Sequence, residues 1–232
     1  MSSENKTIIT VVKPFSPPTY NVNLVVFSDN TPYYQDNSAF EHIYKSIKYA
    51  KKYKVYTVPC RFIKDDYLMQ CMISPDGEII GSQGATHLNL AYRGKINSYN
   101  ELSIFKTPIG NFALAVDADI FHCEFARTAS HLGADVIIAS RYMEMINDMP
   151  YRACIGSENM AASNGLYIID VTEEGARFVT PFQNNCIRDT NYPPQFDKKF
   201  YIDFDLLKKE NIHSIFLSNK KLFQKYIDVL ER

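Results

Sequence analysis

The sequence predicts an α/β protein whose mixed sheets are covered by helices, and three observations predict it. Short runs rich in β-branched and aromatic residues recur along the 232 residues, with turn-forming residues at their borders. Segments with a helical apolar period lie between some of those runs. One pair of runs meets at Pro75-Asp76-Gly77, a tight turn that folds two strands into a hairpin.

The first run is Thr7–Val12 (TIITVV) and the second is Asn23–Phe27 (NLVVF). Between them lies Lys13–Asn23, KPFSPPTYNVN, and three prolines in so short a segment exclude a helix there. Ser38–Tyr53 predicts a helix with Phe40, Ile43, Tyr44, Ile47 and Ala50 on one face and lysines on the other. Val55–Pro59 is the next strand, and Leu68–Ser74 opens the hairpin that returns through Glu78-Ile79-Ile80-Gly81-Ser82. Phe112–Val116 precedes a helix that starts near Cys123 and stops at Gly133, the residue type expected just past a helix end. Asp135–Ser140 follows, then MPYRACIGSENMAASNG as a third helix stopped at Gly165. Leu166–Val171, Ala176–Pro181 and Phe200–Phe204 are the remaining strands, and FDLLKKENI and NKKLFQKYIDVLER are helical material. No repeat, low-complexity tract or linker interrupts the chain, so one domain spanning 1–232 is expected.

Composition narrows the function. Hydrophobic residues make up 46% and charged residues 22%, the balance of a soluble globular protein. A net charge of −1, with no lysine and arginine stripe, argues against a nucleic-acid partner. No run is long enough to span a membrane, and MSSENKTIITVV lacks the apolar stretch of a secretory signal, so a cytoplasmic protein is expected. Cys60, Cys71, Cys123, Cys154 and Cys186 are scattered singly, a pattern of neither a disulfide framework nor a zinc site. No cofactor and no metal is expected.

The chemistry concentrates in FALAVDADIFHCEF, Phe112 to Phe125, where an apolar strand runs into Asp117 and Asp119. Burying an ionised carboxylate without a partner is costly, so these acids need a counter-charge, a proton or a task.

The hairpin ISPDGEIIGSQGATHLN and the later FKTPIGNFALAVDADIFHCEFARTASHLGADVIIAS resemble consecutive signature blocks of the nitrilase (carbon–nitrogen hydrolase) superfamily. LVVFSD, ASNGLYIIDV, ARFVTPF and FYIDFDLLKK are similar to other blocks in the same order, so the resemblance covers roughly Thr7 to Lys209. It implies a four-layer αββα sandwich in which, unusually, the helix between the first two strands is deleted. A partner subunit, an aromatic loop or a terminal segment must then cover the bared sheet. The family's enzymes hydrolyse amides or nitriles with a Glu–Lys–Cys triad: a thiolate attacks, a carboxylate shuttles the proton and an ammonium stabilises the developing charge. By resemblance the triad positions here are Asp29, Ala85 and Asp117, so a carboxylate is kept while the ammonium and the thiol are absent. His87, Asp119 and Glu124 match further positions of the same blocks.

The preferred reading is a catalytically degenerate protein that binds a small molecule or a partner. Asp29, His87, Asp117, Asp119 and Glu124 are its candidate ligand-binding residues, and a small amide or amine is a possible ligand. The alternative is an active carbon–nitrogen hydrolase with a non-standard catalytic set. Cys123, at a helix start between His122 and Glu124, is one candidate nucleophile for it, although packing against the core is the plainer role. Asp117 is another, with Arg93 or Lys95 folding back to replace the ammonium. If the pocket stays open, losing the Lys and gaining an acid makes it attract an amine or a hard divalent cation at Asp29, Asp117, Asp119 or His87. The preferred alternative is a closed pocket filled by Tyr33, Tyr34 or Phe121, with one acid held neutral by the other. His42 is expected at a solvated or boundary position, and His131 near a helix end where a cation suits the dipole. The family's members commonly pair through the helix after the strand end and the one before NGLYIIDV, which implies a homodimer or larger assembly.

Overall fold

The computed structural model describes residues 6–28, 34–89, 92, 94–141, 150–182 and 196–209. Asp29, Tyr33, Arg93, Cys186 and the predicted last helix lie outside them. Two sheets face each other. The first contains β1 (Lys6–Val12), β2 (Leu24–Phe27), β3 (Tyr56–Val58), β4 (Phe62–Lys64), β5 (Tyr67–Ile73), β6 (Ile79–Gly84) and β12 (Lys199–Asp203). Its order is β12-β1-β2-β3-β5-β4, with β6 on the other edge of β5. The second is ordered β11-β10-β9-β8-β7, from β7 (Phe105–Thr107), β8 (Gly110–Val116), β9 (Val136–Ser140), β10 (Tyr167–Thr172) and β11 (Gly175–Val179).

Period-two alternation divides the side chains between layers. Leu24 and Val26 point with Ile9 and Val11 toward the second sheet, meeting Leu114, Ile138 and Ile169 in the central core. Val25 and Phe27 point the other way, onto Tyr49 of α1 (Asp36–Tyr53). On the far side, Ala113 and Ala115 of β8 meet Phe125, Ala126 and Ala129 of α2 (Cys123–His131) and Ala161 of α3 (Pro150–Asn164). A short α4 (Phe204–Lys209) follows β12. The layers are therefore α1, first sheet, second sheet, and α2 with α3: the αββα sandwich that the sequence suggests. The hairpin turn is as expected, with Gly77 at φ 79°, a left-handed conformation that costs glycine little. Strands β4 and β7, each three residues long, had no distinct run in the sequence pattern.

No helix joins β1 to β2, which pair in parallel. The proline-bearing loop itself closes over the bared strands. Phe15 sets its ring edge-on to Phe27 at 5.2 Å and to His42 at 5.3 Å, Val22 is buried, and Tyr49 Oη donates to the Ser16 carbonyl at 2.8 Å.

Helix α1 is rotated from the face the apolar pattern predicts. Ala39, His42, Ser46, Tyr49 and Ala50 are buried, whereas Phe40 is 81% and Tyr44 58% exposed. His42 is thus a core residue, against expectation. Its Nε2 accepts the Cys60 N–H at 3.1 Å, and its ring stacks on Tyr34 at 4.1 Å. Burial, helped by the charge of Lys45, lowers its pKa from 6.5 to about 4.

A second polar core sits in the other half. Asp170 of β10 accepts from Arg141 Nε (3.0 Å), Arg177 Nη2 (3.3 Å) and Ser157 Oγ (3.2 Å). Burial alone would raise its pKa; the two guanidinium groups outweigh burial and hold it below the usual carboxylate range.

Candidate functional site

The end of β8 is a sharp elbow. Val116 is extended, Asp117 turns to φ 57°, and a single 3-10 turn (Asp117–Phe121) leads into α2. A non-glycine residue in the left-handed region is uncommon, and aspartate tolerates it better than most. Such a strand-to-helix turn presents its side chain away from both flanking elements, which is how nucleophile elbows work.

What Asp117 meets there is a buried arginine. The Asp117 carboxylate is 4% exposed and its Oδ1 lies 2.6 Å from Nη1 of Arg61, which is 0% exposed. Burial is the largest influence on Asp117 and raises its pKa, while the Arg61 charge opposes it. Arg61 is held firmly. The preceding N–H of Cys60 bonds His42, the Pro59 carbonyl accepts from Gln70 Nε2 at 2.8 Å, and the Arg61 carbonyl accepts the Tyr34 N–H at 3.0 Å. Gln70 also bonds Ser140 Oγ of β9 at 2.9 Å, so both sheets position this segment.

Ala85, which the sequence resemblance sets at the family's lysine position, is buried with Leu68, Tyr92 and Val116. The cation beside the elbow therefore comes from position 61, and the charge balance differs from the acid-rich one that the triad positions suggest. Lys95 is exposed and supplies no replacement. Tyr34 stacks on His42, and Phe121 lies under the Arg141 guanidinium at 5.6 Å.

Asp119 is occupied as well. Its Oδ1 accepts from the backbone N–H groups of Thr86 (3.0 Å) and His87 (2.8 Å) and from Thr86 Oγ1 (2.7 Å). His87 Nδ1 lies 3.1 Å from the same oxygen, and Oδ2 accepts the Val116 N–H at 3.1 Å. This carboxylate ties the turn after β6 to the elbow. It also raises the pKa of His87, chiefly through their hydrogen bond.

Next to it, His87 stacks face to face on His122, centroids 3.7 Å apart and planes 8° from parallel. Glu124 Oε1 lies 3.4 Å from His87 Nε2 and 3.5 Å from His122 Nδ1. Partial burial first, and then the neighbouring His87 charge, lower the pKa of His122. Cys123 is exposed rather than packed into the core, its Sγ 3.4 Å from Glu124 Oε2. Burial, followed by that carboxylate, raises the thiol's pKa, so the environment disfavours the thiolate.

Two clusters thus emerge from the candidate residues: Asp117 with Arg61, and His87 with Asp119 and Glu124. The sequence reading missed Arg61 and gave His122 no role of its own. The signal for Arg61 was its setting, a lone arginine in the apolar stretch VPCRFI.

Solved structures share this architecture. A carbon–nitrogen hydrolase from Helicobacter pylori G27 superposes with a TM-score of 0.74 at 15% identity, covering 98% of this chain and 99% of that one. A Saccharomyces cerevisiae member of branch 10 of the nitrilase superfamily gives 0.73 at 15%, covering 94% and 97%. An amidase from Nesterenkonia sp. gives 0.66 at 11%, covering 87% and 92%. Neither a protein-family model nor a curated protein matches the sequence. At such identities the likeness speaks for backbone architecture alone: the chain has the αββα fold of nitrilase-superfamily carbon–nitrogen hydrolases.

Proposed function

We propose that this protein is a catalytically degenerate member of the nitrilase superfamily that acts by binding rather than by cleaving carbon–nitrogen bonds. One observation carries the reading. The side chain at the elbow is a carboxylate closed into a buried ion pair with Arg61. A nucleophile needs an exposed, electron-rich atom, and a carboxylate hydrogen-bonded to a guanidinium is a poor one. Cys123 is accessible, but its surroundings favour the thiol over the thiolate. By the sequence resemblance, Ala85 puts a methyl group where the family's enzymes have an ammonium.

The test is a panel of carboxamides and nitriles assayed with the full chain. The expected result is no turnover above background, with Asp117→Asn and Cys123→Ala behaving like the parent. Turnover that either substitution abolishes while the variant stays folded would establish the alternative, a hydrolase with a non-standard catalytic set.

We also place a homodimer in this proposal. Helices α2 and α3, through which relatives of this fold commonly pair, pack together on the outer face of the second sheet. Sedimentation equilibrium is expected to give roughly twice the 26.7 kDa of the chain. A mass at the monomer value across micromolar concentrations would remove this part of the proposal.

A further inference from the structure

We propose that His87, His122 and Glu124 form a binding site for a divalent transition-metal ion of the zinc type. One ligand atom from each lies within 4.8 Å of the others. The two histidine–carboxylate separations, 3.4 Å and 3.5 Å, are close to the edge of a tetrahedron whose arms are about 2.0–2.1 Å, the usual Zn–N and Zn–O lengths. Two imidazoles and a carboxylate are a ligand set of borderline softness that suits zinc or its late first-row neighbours better than calcium or magnesium.

The surroundings of His87 strengthen the assignment. Asp119 is fully buried and its oxygen stands 3.1 Å from His87 Nδ1. That oxygen also accepts the backbone N–H groups of Thr86 and His87, and Thr86 Oγ1 lies 2.9 Å from the same ring nitrogen, so the Nδ1 edge of the ring is fixed from two sides. The other ring nitrogen, Nε2, faces Glu124 Oε1 at 3.4 Å. An outer carboxylate that holds one nitrogen of a histidine while the other faces a cation is the arrangement that orients metal-binding imidazoles.

The parallel stack sends the lone pairs of the two rings side by side, so metal entry requires one ring to turn. His122 is the freer of the two, since its side chain is more exposed than that of His87. The three ligands leave a fourth position open to water or a small donor. The site shares no ligand with the Arg61–Asp117 pair and does not depend on whether the elbow performs any chemistry. Sequence spacing concealed it, because the two histidines come from different segments and no cysteine pair marks them.

The experiment titrates metal-stripped full-length protein with Co²⁺, whose visible absorption reports coordination number, and repeats the titration with Zn²⁺ in competition. One equivalent is expected to bind saturably with the intense spectrum of a four-coordinate site, and Zn²⁺ is expected to displace it. His122→Ala and Glu124→Gln alter partly exposed side chains, so both should fold, and each should weaken binding by at least about tenfold. Cys123→Ser should leave the affinity unchanged. Absence of saturable binding, binding unaltered in both ligand variants, or binding lost in Cys123→Ser would each overturn the assignment.

Discussion

Arg61→Met is expected to destabilise the protein by about 3–5 kcal/mol at neutral pH, the cost of stranding one member of a buried ion pair. The magnitude follows from burial rather than from the strength of the contact. Arg61 is fully enclosed and Asp117 nearly so, so the remaining carboxylate has neither water nor this cation to stabilise its charge. The loss should shrink as the pH falls. Burial already raises the Asp117 pKa, and removing Arg61 raises it further. For an acid whose folded pKa exceeds its unfolded value of about 3.9, the penalty is absent below that value and grows as the pH climbs to the folded pKa. The double variant Arg61→Met, Asp117→Asn should recover most of the loss, because the charge that needed a partner is gone. Urea unfolding of the parent, single and double variants at neutral and acidic pH measures all of this. A double variant no more stable than Arg61→Met would show that the arginine acts through packing and not through the carboxylate.

The same pair shows where sequence reading ends. The layers were legible because strand alternation and helical period are local properties, and the order of the signature blocks added the connectivity at identities of only 11–15%. Asp117 and Asp119 were legible as an anomaly, two acids closing an apolar strand. Their partners were not. Arg61 meets Asp117 across 56 residues, and Asp119 is satisfied by backbone groups of a turn 32 and 33 residues earlier. No local pattern encodes such pairings. Helix α1 failed for a related reason. Ranking positions by apolarity selects Phe40 and Tyr44, whereas the face that packs includes His42 and Ser46, each with one polar side-chain atom partnered inside: Nε2 accepts from Cys60, and Ser46 Oγ donates to the His42 carbonyl at 2.7 Å. A polar residue with a partner can be core, and the partner is visible only in three dimensions.

His42 should make the protein sensitive to mild acid. Its ring is 2% exposed, enclosed by Tyr34, Phe15 and Phe27, and its pKa is lowered from 6.5 to about 4. A histidine whose folded pKa lies below its unfolded one contributes stability that is fully present above the unfolded value and is lost as the pH drops toward the folded value. Across that interval the contribution of His42 alone amounts to about 3 kcal/mol, a large part of the stability of an ordinary domain. Protonation would also put a donor where the Cys60 N–H now needs an acceptor, loosening the segment that carries Arg61. His42→Gln keeps an acceptor and cannot titrate. The variant should start less stable near neutrality, through the lost ring stack, and close the gap on the parent by about 3 kcal/mol as the pH falls from 7 to 4. Other histidines, including His87 with its opposite shift, contribute equally to both proteins and cancel from the difference. Unfolding curves collected across that range decide the matter. Parallel stability profiles for parent and variant would mean that the imidazole takes up its proton without opposition, and that the enclosure around it opens before the fold gives way.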